Sequence, residues 1–352
     1  MTEFPRVIVY DETEREEDAA AQLAGHLEES GIQAPLVISS IHGAGLGARL
    51  NGIKESEVPA TNANQQWASE LGSRARRAGA DAVIAIGGGR CIDVGKLAAV
   101  RAGLTIVAVP TQLSHDGICS PVAVVPNDEA KAESVGAIPP RLVFVSVPTL
   151  AGAPTASVRA GLGDLMANPL ALRDWALAAE RGLEEVDQRA WDLSVESFEL
   201  IKRHLDIDPV DASKDPVFLR ELADALVLSG MAMTYVGTSR PASGAEHEIS
   251  HGIDELYGGR ALHGAQVAFG CIVSVALYGE DTNAFRHQLR RIGLPQHPSE
   301  LGLDEEEVVR LLLAAPDTRP GRFTILEDAD LDEPRARDLV RRIWPELEPT
   351  EG

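Results

Sequence analysis

The chain has 352 residues, more than one hydrophobic core usually organises, and 44% of them are apolar, so we expect two domains with a sizeable core. Its formal net charge of −22 argues against nucleic acid and anionic membranes as partners, because phosphate groups would be repelled, and an anionic substrate would need a local positive centre. The longest apolar runs, such as residues 82–86 and 104–109, are too short to cross a bilayer, which excludes a membrane span.

The N-terminal segment and the cysteines indicate the compartment. Residues 1–16 carry acidic side chains and lack the basic start and apolar middle of a secretory signal, so we expect a cytoplasmic protein. Cys91, Cys119 and Cys271 are scattered without CxxC spacing. This pattern argues against a disulfide framework and a cysteine zinc site, and it predicts reduced thiols in or near the core.

Short apolar runs alternate with helical periodicity in the first part of the chain. The apolar runs are residues 6–10, 35–39, 82–86, 105–109 and 142–145, and the helical patterns are residues 14–30, 64–78 and 92–102. Alternation at this spacing is typical of βαβ units. It predicts an α/β domain with a mostly parallel, Rossmann-like sheet.

The pattern changes near residues 149–154, where proline and glycine interrupt regular structure. Helical periodicity without a convincing strand follows in residues 167–181, 190–204, 218–237, 242–256 and 264–278, with a last helix in residues 333–344. We therefore expect an α/β dinucleotide-binding domain in residues 1–152 and an all-helical metal- and substrate-binding domain in residues 153–352.

A run of three glycines follows the predicted strand at residues 81–86. Gly87, Gly88 and Gly89 would let the backbone approach a pyrophosphate, and the helix behind them would offer free N–H groups and a partial positive charge. The run is not the GxGxxG fingerprint, because Ile92 stands where that motif has glycine. A dinucleotide site and a purely structural tight turn both remain open on this evidence.

Polar residues follow the next predicted strand. The turn at residues 110–117 brings hydroxyls, an imidazole and a carboxylate together after the strand at residues 105–109. Ligands of open α/β sheets bind beyond the carboxyl ends of the strands, so this turn is a second candidate cofactor site. A hydrogen-bonded polar turn is the structural alternative.

The helical half contains histidines at helical spacing. His247 and His251 lie four residues apart and would share one face of a helix. With Glu248 between them they match HExxH, in which that glutamate would be the general base of a zinc protease. The α/β half has no role in such a protease, so this interpretation is the less favoured one.

Two further residues complete a candidate metal site. His263 opens one predicted helix, and the segment Gly161-Leu162-Gly163-Asp164 is expected to open another. A carboxylate and two imidazoles from three helices suit a borderline divalent cation such as Zn²⁺, with a fourth position left for substrate.

Five segments together carry a family resemblance. They read, in chain order, GGGRCIDVGK at residues 87–96, PTQLSHDGICSP at 110–121, AGLGD at 160–164, SRPASGAEH at 239–247 and HG at 263–264. With these segments the chain resembles the sn-glycerol-1-phosphate dehydrogenases. They are a branch of the group that holds glycerol dehydrogenase, iron-type alcohol dehydrogenases and dehydroquinate synthase, which implies a dehydroquinate synthase-like fold.

The resemblance implies a role for each matching residue. The residues implied to bind NAD or NADP are Gly87, Gly88, Gly89, Arg90, Cys91, Ile92, Asp93, Thr111, Gln112, Leu113, Ser114 and Ser120. The implied metal ligands are Asp164, His247 and His263, and the implied substrate contacts are Asp116, Asp164 and His251. Asp116 and His251 are the implied catalytic residues, so the HExxH match becomes a coincidence.

The implied reaction is reduction of dihydroxyacetone phosphate to sn-glycerol-1-phosphate with NAD(P)H, a step of phospholipid metabolism. One divalent metal, Zn²⁺ with Ni²⁺ or Fe²⁺ as alternatives, would stabilise the charge that develops on the carbonyl oxygen, and His251 would supply the proton. A polyol dehydrogenase, a sugar-phosphate cyclase of the same fold and a non-catalytic metal- and nucleotide-binding protein remain the alternatives. We also expect a homo-oligomer.

The chain departs from the family pattern in its first two strands. The first strand ends in Tyr10-Asp11-Glu12-Thr13 where the family has a turn rich in glycine and threonine, so the adenine contacts stay open. The second ends in Ser39-Ser40 without an acidic residue for the ribose, so NADP is not excluded, and NADH and NADPH are not ranked. Arg240 is a candidate phosphate anchor, with a structural arginine as the alternative.

Overall fold

The computed structural model describes residues 7–12, 15–54, 63–126, 132–206 and 209–347. Its strands are β1 (Val7–Asp11), β2 (Leu36–Ser39), β3 (Ile53–Lys54), β4 (Ala82–Gly87), β5 (Thr105–Pro110), β6 (Val122–Pro126), β7 (Ala132–Gly136) and β8 (Leu142–Ser146). The helices that precede residue 181 are α1 (Glu16–Glu29), α2 (Ala44–Arg49), α3 (Gln65–Arg77), α4 (Gly89–Ala102), α5 (Val147–Ala151), α6 (Thr155–Leu165) and α7 (Asn168–Glu180). The later helices are α8 (Gln188–Lys202), α9 (Pro209–Ala212), α10 (Pro216–Val236), α11 (Ala245–Tyr257), α12 (His263–Leu277), α13 (Thr282–Ile292), α14 (Glu305–Ala314), α15 (Ile325–Ala329) and α16 (Glu333–Ile343).

Six strands form one sheet in the order β1-β8-β5-β4-β2-β3, and every described pair in it is parallel. The predicted parallel sheet is therefore confirmed. Because all six strands run in the same direction, their carboxyl ends lie at one edge, and the loops that leave β2, β4 and β5 there are neighbours.

Both faces of the sheet are covered, which explains why β4 is apolar at consecutive positions. Ala82, Ile84 and Ile86 pack into the core beneath α1 and α2. The intervening Val83 and Ala85 belong to a larger core that continues through α3 and α4 into the helical half. This continuity holds the glycine turn after β4 in a defined position relative to the helices.

All described strands precede residue 147, and only helices follow, as the sequence predicts. The predicted boundary between residues 152 and 153 falls between α5 and α6 and stays a prediction. One expectation about this region is wrong. Residues 161–164 do not open a helix but form the last turns of α6, which begins directly after Pro154. Gly161 and Gly163 lie against the backbone carbonyls of Leu113 and Gly264, so these glycines reflect close packing inside the helix and not a helix start.

A two-stranded antiparallel hairpin of β6 and β7 was not expected from the sequence. It lies against α4, where Asp93 accepts a hydrogen bond from the Val124 amide at 3.1 Å and the Lys96 ammonium donates to the Val122 carbonyl at 2.8 Å. Lys96 also lies 3.2 Å from Asp93, so this buried ion pair joins the hairpin to the glycine-turn helix.

Cys91, Cys119 and Cys271 are free and buried, as expected. Helices α13, α14 and α15 were not anticipated from periodicity. Thr13, which ends the first-strand motif, lies outside the described residues. Within the part of the chain that is described, no helix combines the length and apolar character needed to cross a membrane.

Candidate active site

The glycine turn lies between the carboxyl ends of two other strands. Gly88 precedes α4, and the Thr111 amide donates to the Gly87 carbonyl at 3.0 Å, which ties the end of β5 to the turn. On the other side the Ser40 amide donates to the Ile86 carbonyl at 2.8 Å. Three strand ends therefore form one wall, with the N-terminus of α4 facing outward.

The side chains of Gln112 and His115 lie close to the glycines of the turn. A Cβ on Gly88 would lie 2.5 Å from Gln112 Nε2, and one on Gly89 would overlap the His115 ring, 2.7 Å from its Cε1 atom. The open space beside the turn is a cavity of about 440 Å³. Its lining residues are Ser40, Ile41, His42, Gly88, Gly89, Arg90, Cys91, Thr111, Gln112, Ser114, His115, Leu262 and His263.

Some expected cofactor residues lie elsewhere. Ile92 and Leu113 are core residues, with at most 1% of their surface exposed. Asp93 and Ser120 line the next cavity toward the helical half, and Ser120 Oγ accepts a hydrogen bond from Lys96 at 3.4 Å. Their cofactor roles stay predictions.

The three implied metal ligands come together. Asp164 lies near the C-terminal end of α6, His247 in the first turn of α11 and His263 at the start of α12. Asp164 Oδ1 lies 3.7 Å from Nε2 of each histidine. One ligand atom from each residue falls within 4.8 Å of the other two. The ligands of a tetrahedral Zn²⁺ ion, at about 2 Å from the metal, lie about 3.3 Å apart, so this arrangement has the required size.

Neighbouring polar groups orient both imidazoles. His247 Nδ1 lies 2.9 Å from Glu246 Oε1, and His263 Nδ1 lies 3.4 Å from Ser250 Oγ. Each ring therefore directs Nε2 toward Asp164. Such a partner on the far ring nitrogen is the usual companion of a metal-binding histidine.

Two glycines bring the helices of this site together. A Cβ on Gly264 would overlap the Ala160 carbonyl oxygen and lie 2.7 Å from the carbonyl carbon. A Cβ on Gly163 would meet the Gly264 carbonyl in the same way. The backbones of α6 and α12 can touch only because these positions lack side chains, and this contact places Asp164 beside His263.

The pKa values show a position that attracts positive charge. Burial opposes the charge on His247, but Asp164 and Glu246 outweigh it and raise the pKa of His247 to about 9. Burial likewise opposes ionisation of Asp164, yet His247 and His263 lower the pKa of that carboxyl. Burial lowers the pKa of His263 to about 3. The carboxylates of Asp164 and Glu246 thus keep a proton on His247. A metal cation that displaced this proton would meet the same negative charge.

Asp116 adjoins the triad through its backbone. Its amide donates to Asp164 Oδ2 at 2.8 Å, and its carboxylate accepts from Ser229 Oγ at 2.8 Å. Burial, and then the charge of Asp164, raise the pKa of Asp116. The pKa values of the two carboxyl groups are therefore shifted in opposite directions, and Asp116 is the one that more readily carries a proton.

His251 lies next to the triad but outside it. Its ring centroid is 6.2 Å from that of His263, and its Nε2 atom accepts a hydrogen bond from Arg319 at 2.8 Å. Burial, and then the charge of Arg319, hold the pKa of His251 well below its usual range. A neutral ring that accepts at Nε2 carries its proton on Nδ1.

The zinc protease alternative fails on the position of Glu248. Its Oε2 atom accepts from Thr324 Oγ1 at 3.0 Å inside the core, and burial raises its pKa to about 9. A general base needs access to the metal site, whereas Glu248 is fully buried. His251 is also absent from the ligand cluster found among the described residues.

Arg240 is a structural arginine. Its guanidinium group is 2% exposed, forms a two-point ion pair with Glu184 and donates to the Phe323 carbonyl at 2.7 Å. These partners neutralise its charge, so the structural alternative for this residue is the one observed.

Three cavities join into one cleft. The glycine-turn cavity shares His115 and His263 with an inner cavity of about 220 Å³ that also reaches His247 and His251. The inner cavity shares His251 and Arg319 with an outer one. The cleft thus runs from the glycine turn past the ligand triad to a group of arginines.

A parallel α/β sheet followed by a helical half, with an Asp-His-His cluster beside the cavity of the glycine turn, is the arrangement to compare with known proteins. The sequence model of a family described as iron-containing alcohol dehydrogenase matches residues 3–154. A glycerol-1-phosphate dehydrogenase (NAD(P)+) from Methanoculleus marisnigri is 39% identical over 264 residues, which cover 75% of this chain and 72% of the relative. Another from Methanocorpusculum labreanum is 33% identical over 94% of this chain and 92% of the relative. The chain belongs to the glycerol-1-phosphate dehydrogenase family.

Solved structures show the same fold at lower identity. A probable glycerol dehydrogenase from Sinorhizobium meliloti 1021 superposes with a TM-score of 0.78 at 22% identity and covers 99% of both chains. A sulfoacetaldehyde reductase from Bifidobacterium kashiwanohense, in complex with NAD+, superposes with a TM-score of 0.70 at 15% identity over 100% of both chains. The dehydroquinate synthase-like architecture expected from the sequence is confirmed at the level of the iron-type dehydrogenase fold.

Proposed function

We propose that this protein reduces dihydroxyacetone phosphate to sn-glycerol-1-phosphate with NADH or NADPH at a Zn²⁺ site. The observation that carries the proposal is the convergence of Asp164, His247 and His263 at the junction of the glycine-turn cavity and the inner cavity. Relatives that bear the name of this activity support the choice of reaction.

The cofactor end of the cleft supports a dinucleotide. The N–H groups at the start of α4 and the bare backbone at Gly88 and Gly89 favour a pyrophosphate. When bound, the nicotinamide cofactor supplies the hydride. Thr111, Gln112 and Ser114 line the cavity from there toward His263, so the nicotinamide end would lie next to the metal ligands.

The donor set fits a divalent cation. Asp164, His247 and His263 would hold the metal, and the side chains of Glu246 and Ser250 keep both rings turned toward it. When bound, the metal acts as a Lewis acid for the carbonyl group. Two nitrogens and one oxygen favour Zn²⁺ and leave Ni²⁺ and Fe²⁺ as alternatives.

Substrate contacts would come from Asp116, Asp164 and His251. Asp116 and His251 line the inner cavity. Their pKa shifts favour the neutral form of each, and a neutral carboxylic acid or imidazole has a proton to donate to a hydroxyl or carbonyl oxygen. The β6-β7 hairpin and α11 both contribute residues to the wall of this cavity.

The activity assay distinguishes the possible functions. Purified protein loaded with Zn²⁺ is expected to consume NADH or NADPH with dihydroxyacetone phosphate, followed by the absorbance of the reduced cofactor. The product should resist a dehydrogenase specific for sn-glycerol-3-phosphate, because it is the opposite enantiomer. Oxidation with dihydroxyacetone alone would instead support a polyol dehydrogenase. No oxidation with either ketone would support a cyclase or a non-catalytic protein.

A serine at the end of β2 is expected to permit both cofactors. Ser40, Ile41 and His42 line this end of the cavity, and no carboxylate is among the described residues that line it. Ser40→Asp should therefore lower kcat/KM for NADPH by about tenfold or more relative to NADH, because a carboxylate repels a 2′-phosphate and accepts from a 2′-hydroxyl. Steady-state kinetics with both cofactors measure the ratio, and Ser40→Asn is the uncharged control. An unchanged ratio would place the ribose elsewhere.

His251 is expected to take part in proton transfer as a neutral ring that passes a proton on through Nδ1, because its low pKa disfavours the doubly protonated form at neutral pH. His251→Ala should lower the turnover number by about 100-fold or more, the usual effect of losing an acid or base that acts in the transition state. Turnover is measured across the pH range in which the protein stays folded, with His287→Ala on the exposed face of α13 as the matched control. A turnover number that stays unchanged at every pH would remove His251 from the mechanism.

A further inference from the structure

Among the residues that the structure describes, the hydrogen-bond partners of two arginines at the far end of the cleft are all neutral. Arg319 donates to Ser239 Oγ at 2.9 Å and to His251 Nε2 at 2.8 Å. Arg322 donates to the same serine oxygen at 2.8 Å and to the Ser243 carbonyl. No carboxylate in the described part of the chain lies within ion-pair distance of either guanidinium group.

Both guanidinium groups are partly withdrawn from water beside each other. Burial, and then repulsion from Arg319 and Arg240, lower the pKa of Arg322 to about 10, and burial also lowers the pKa of Arg319. Both remain cationic at neutral pH. Two neighbouring cations that share one neutral hydroxyl are unfavourable until an anion joins them.

Arg240 provides the contrast within the same outer cavity. Glu184 neutralises it through a two-point ion pair, and almost none of its surface is exposed. Among the described residues, a carboxylate therefore forms an ion pair with Arg240, and none lies within ion-pair distance of Arg319 or Arg322. The exposed Glu133 and Glu255 also line this cavity, but neither forms an ion pair with Arg319 or Arg322.

Hydroxyl groups with unused hydrogen-bonding capacity lie beside these arginines. Ser239 Oγ accepts from both guanidinium groups, so its own proton is left to donate. Ser243 is 3% exposed, and its Oγ atom has no hydrogen-bond partner among the described residues. Ser243 and Arg319 line the same inner cavity, so this buried hydroxyl is a second indication of an absent polar ligand.

The arginines lie beside His251, which adjoins the proposed metal site. In dihydroxyacetone phosphate a methylene group and an ester oxygen join the carbonyl carbon to phosphorus. With its carbonyl group at the Asp164 triad, the substrate would carry its phosphate a few bonds away from the metal ligands. His251 is a neighbour of the triad, with its ring centroid 6.2 Å from that of His263, and its Nε2 atom accepts from Arg319. A phosphomonoester at neutral pH carries close to two negative charges and three acceptor oxygens, which two guanidinium groups and two hydroxyls can satisfy.

We propose that Arg319 and Arg322, together with the hydroxyls of Ser239 and Ser243, bind the phosphate of the substrate and select a phosphorylated ketone over the free one. This inference rests on the proposed function and adds the residues that decide its substrate class. It also supplies the local positive centre that a chain of net charge −22 needs to capture an anion.

The test compares two substrates in the Zn²⁺-loaded enzyme. Arg319→Gln and Arg322→Gln should each lower kcat/KM for dihydroxyacetone phosphate about 10- to 100-fold, the value of a hydrogen-bonded charge pair. For unphosphorylated dihydroxyacetone kcat/KM should change less than about threefold in Arg322→Gln, because that substrate has no group for this arginine and the hydrogen bonds of Arg322 go to Ser239 and Ser243. Arg319→Gln also frees His251 Nε2, so it should lower kcat/KM for dihydroxyacetone as well, but by a smaller factor than for dihydroxyacetone phosphate. Arg342→Gln, on the exposed part of α16, is the matched control. Equal losses for both substrates, or none for either, would overturn the inference.

A binding measurement separates this inference from the proposed function. Inorganic phosphate should bind to metal-free wild-type protein in calorimetry, and at least about tenfold more weakly to either glutamine variant. Should a variant fail to fold, phosphate is expected to protect Arg319 and Arg322 of the wild type from an arginine-specific dicarbonyl reagent, read by mass spectrometry. Absence of binding or of protection refutes the anion site. Phosphate binding at these arginines in a protein that reduces no ketone would refute the proposed function alone.

Discussion

His247→Ala is expected to lower kcat/KM for dihydroxyacetone phosphate by at least about 1000-fold. A Lewis acid supplies several kcal/mol at the transition state, and each 1.4 kcal/mol is a factor of about ten in rate. The substitution removes one of the three converging ligand atoms, 3.7 Å from Asp164 Oδ1, and with it the tight binding of the ion. Metal content by mass spectrometry should fall in parallel with the rate.

His287→Ala is the control for this experiment, because it removes an exposed imidazole of α13 far from the triad. It should retain both metal and activity. Addition of a chelator to the wild type should reproduce the loss, and Zn²⁺ should restore it in the wild type but not in His247→Ala. A His247→Ala protein with a full complement of metal and normal turnover would show that the ion is held elsewhere.

Gly264→Ala is expected to damage both stability and catalysis. The new methyl group would overlap the Ala160 carbonyl, so α12 must move away from α6, and these two helices carry His263 and Asp164. Overpacking of this kind costs about 1–3 kcal/mol of unfolding free energy. A displacement of about 1 Å at the reacting groups lowers turnover by up to about 100-fold. Urea unfolding and steady-state kinetics measure the two effects.

Gly25 offers a matched control within a helix. It lies in α1, where an added methyl group would meet no neighbouring element within 4 Å, so Gly25→Ala should raise stability by up to about 1 kcal/mol and leave turnover unchanged. If Gly264→Ala behaved like Gly25→Ala in both measurements, close contact between α6 and α12 would not be what joins Asp164 to His263.

The strands and the glycine turn could be predicted because their signals are local. The alternation of short apolar runs with helical periodicity predicts a parallel sheet, and β4 and β5 are found at residues 82–87 and 105–110. The turn after β4 follows from glycine chemistry over consecutive residues. Signals of this kind depend only on neighbours along the chain.

Local signals misled where packing decides. Gly161 and Gly163 suggested a helix start, yet they lie inside α6. Glycine occurs at these positions because other backbone segments pack directly against them. The hairpin of β6 and β7 gave no clear pattern, since its strands are short and only partly buried. Its position depends on the buried Lys96, whose partners are separated from it in sequence.

The sequence by itself determined the class of fold, the glycine turn and, through the family resemblance, the identity of the three candidate metal ligands. Only the tertiary structure decided which arginine meets a carboxylate. Glu184 pairs with Arg240 across 56 residues, while Arg319 and Arg322 reach the cleft beside His251 with no carboxylate partner in the described segments. The reason is physical: the electrostatic state of a charged group depends on distances through space, and no spacing along the chain reports them.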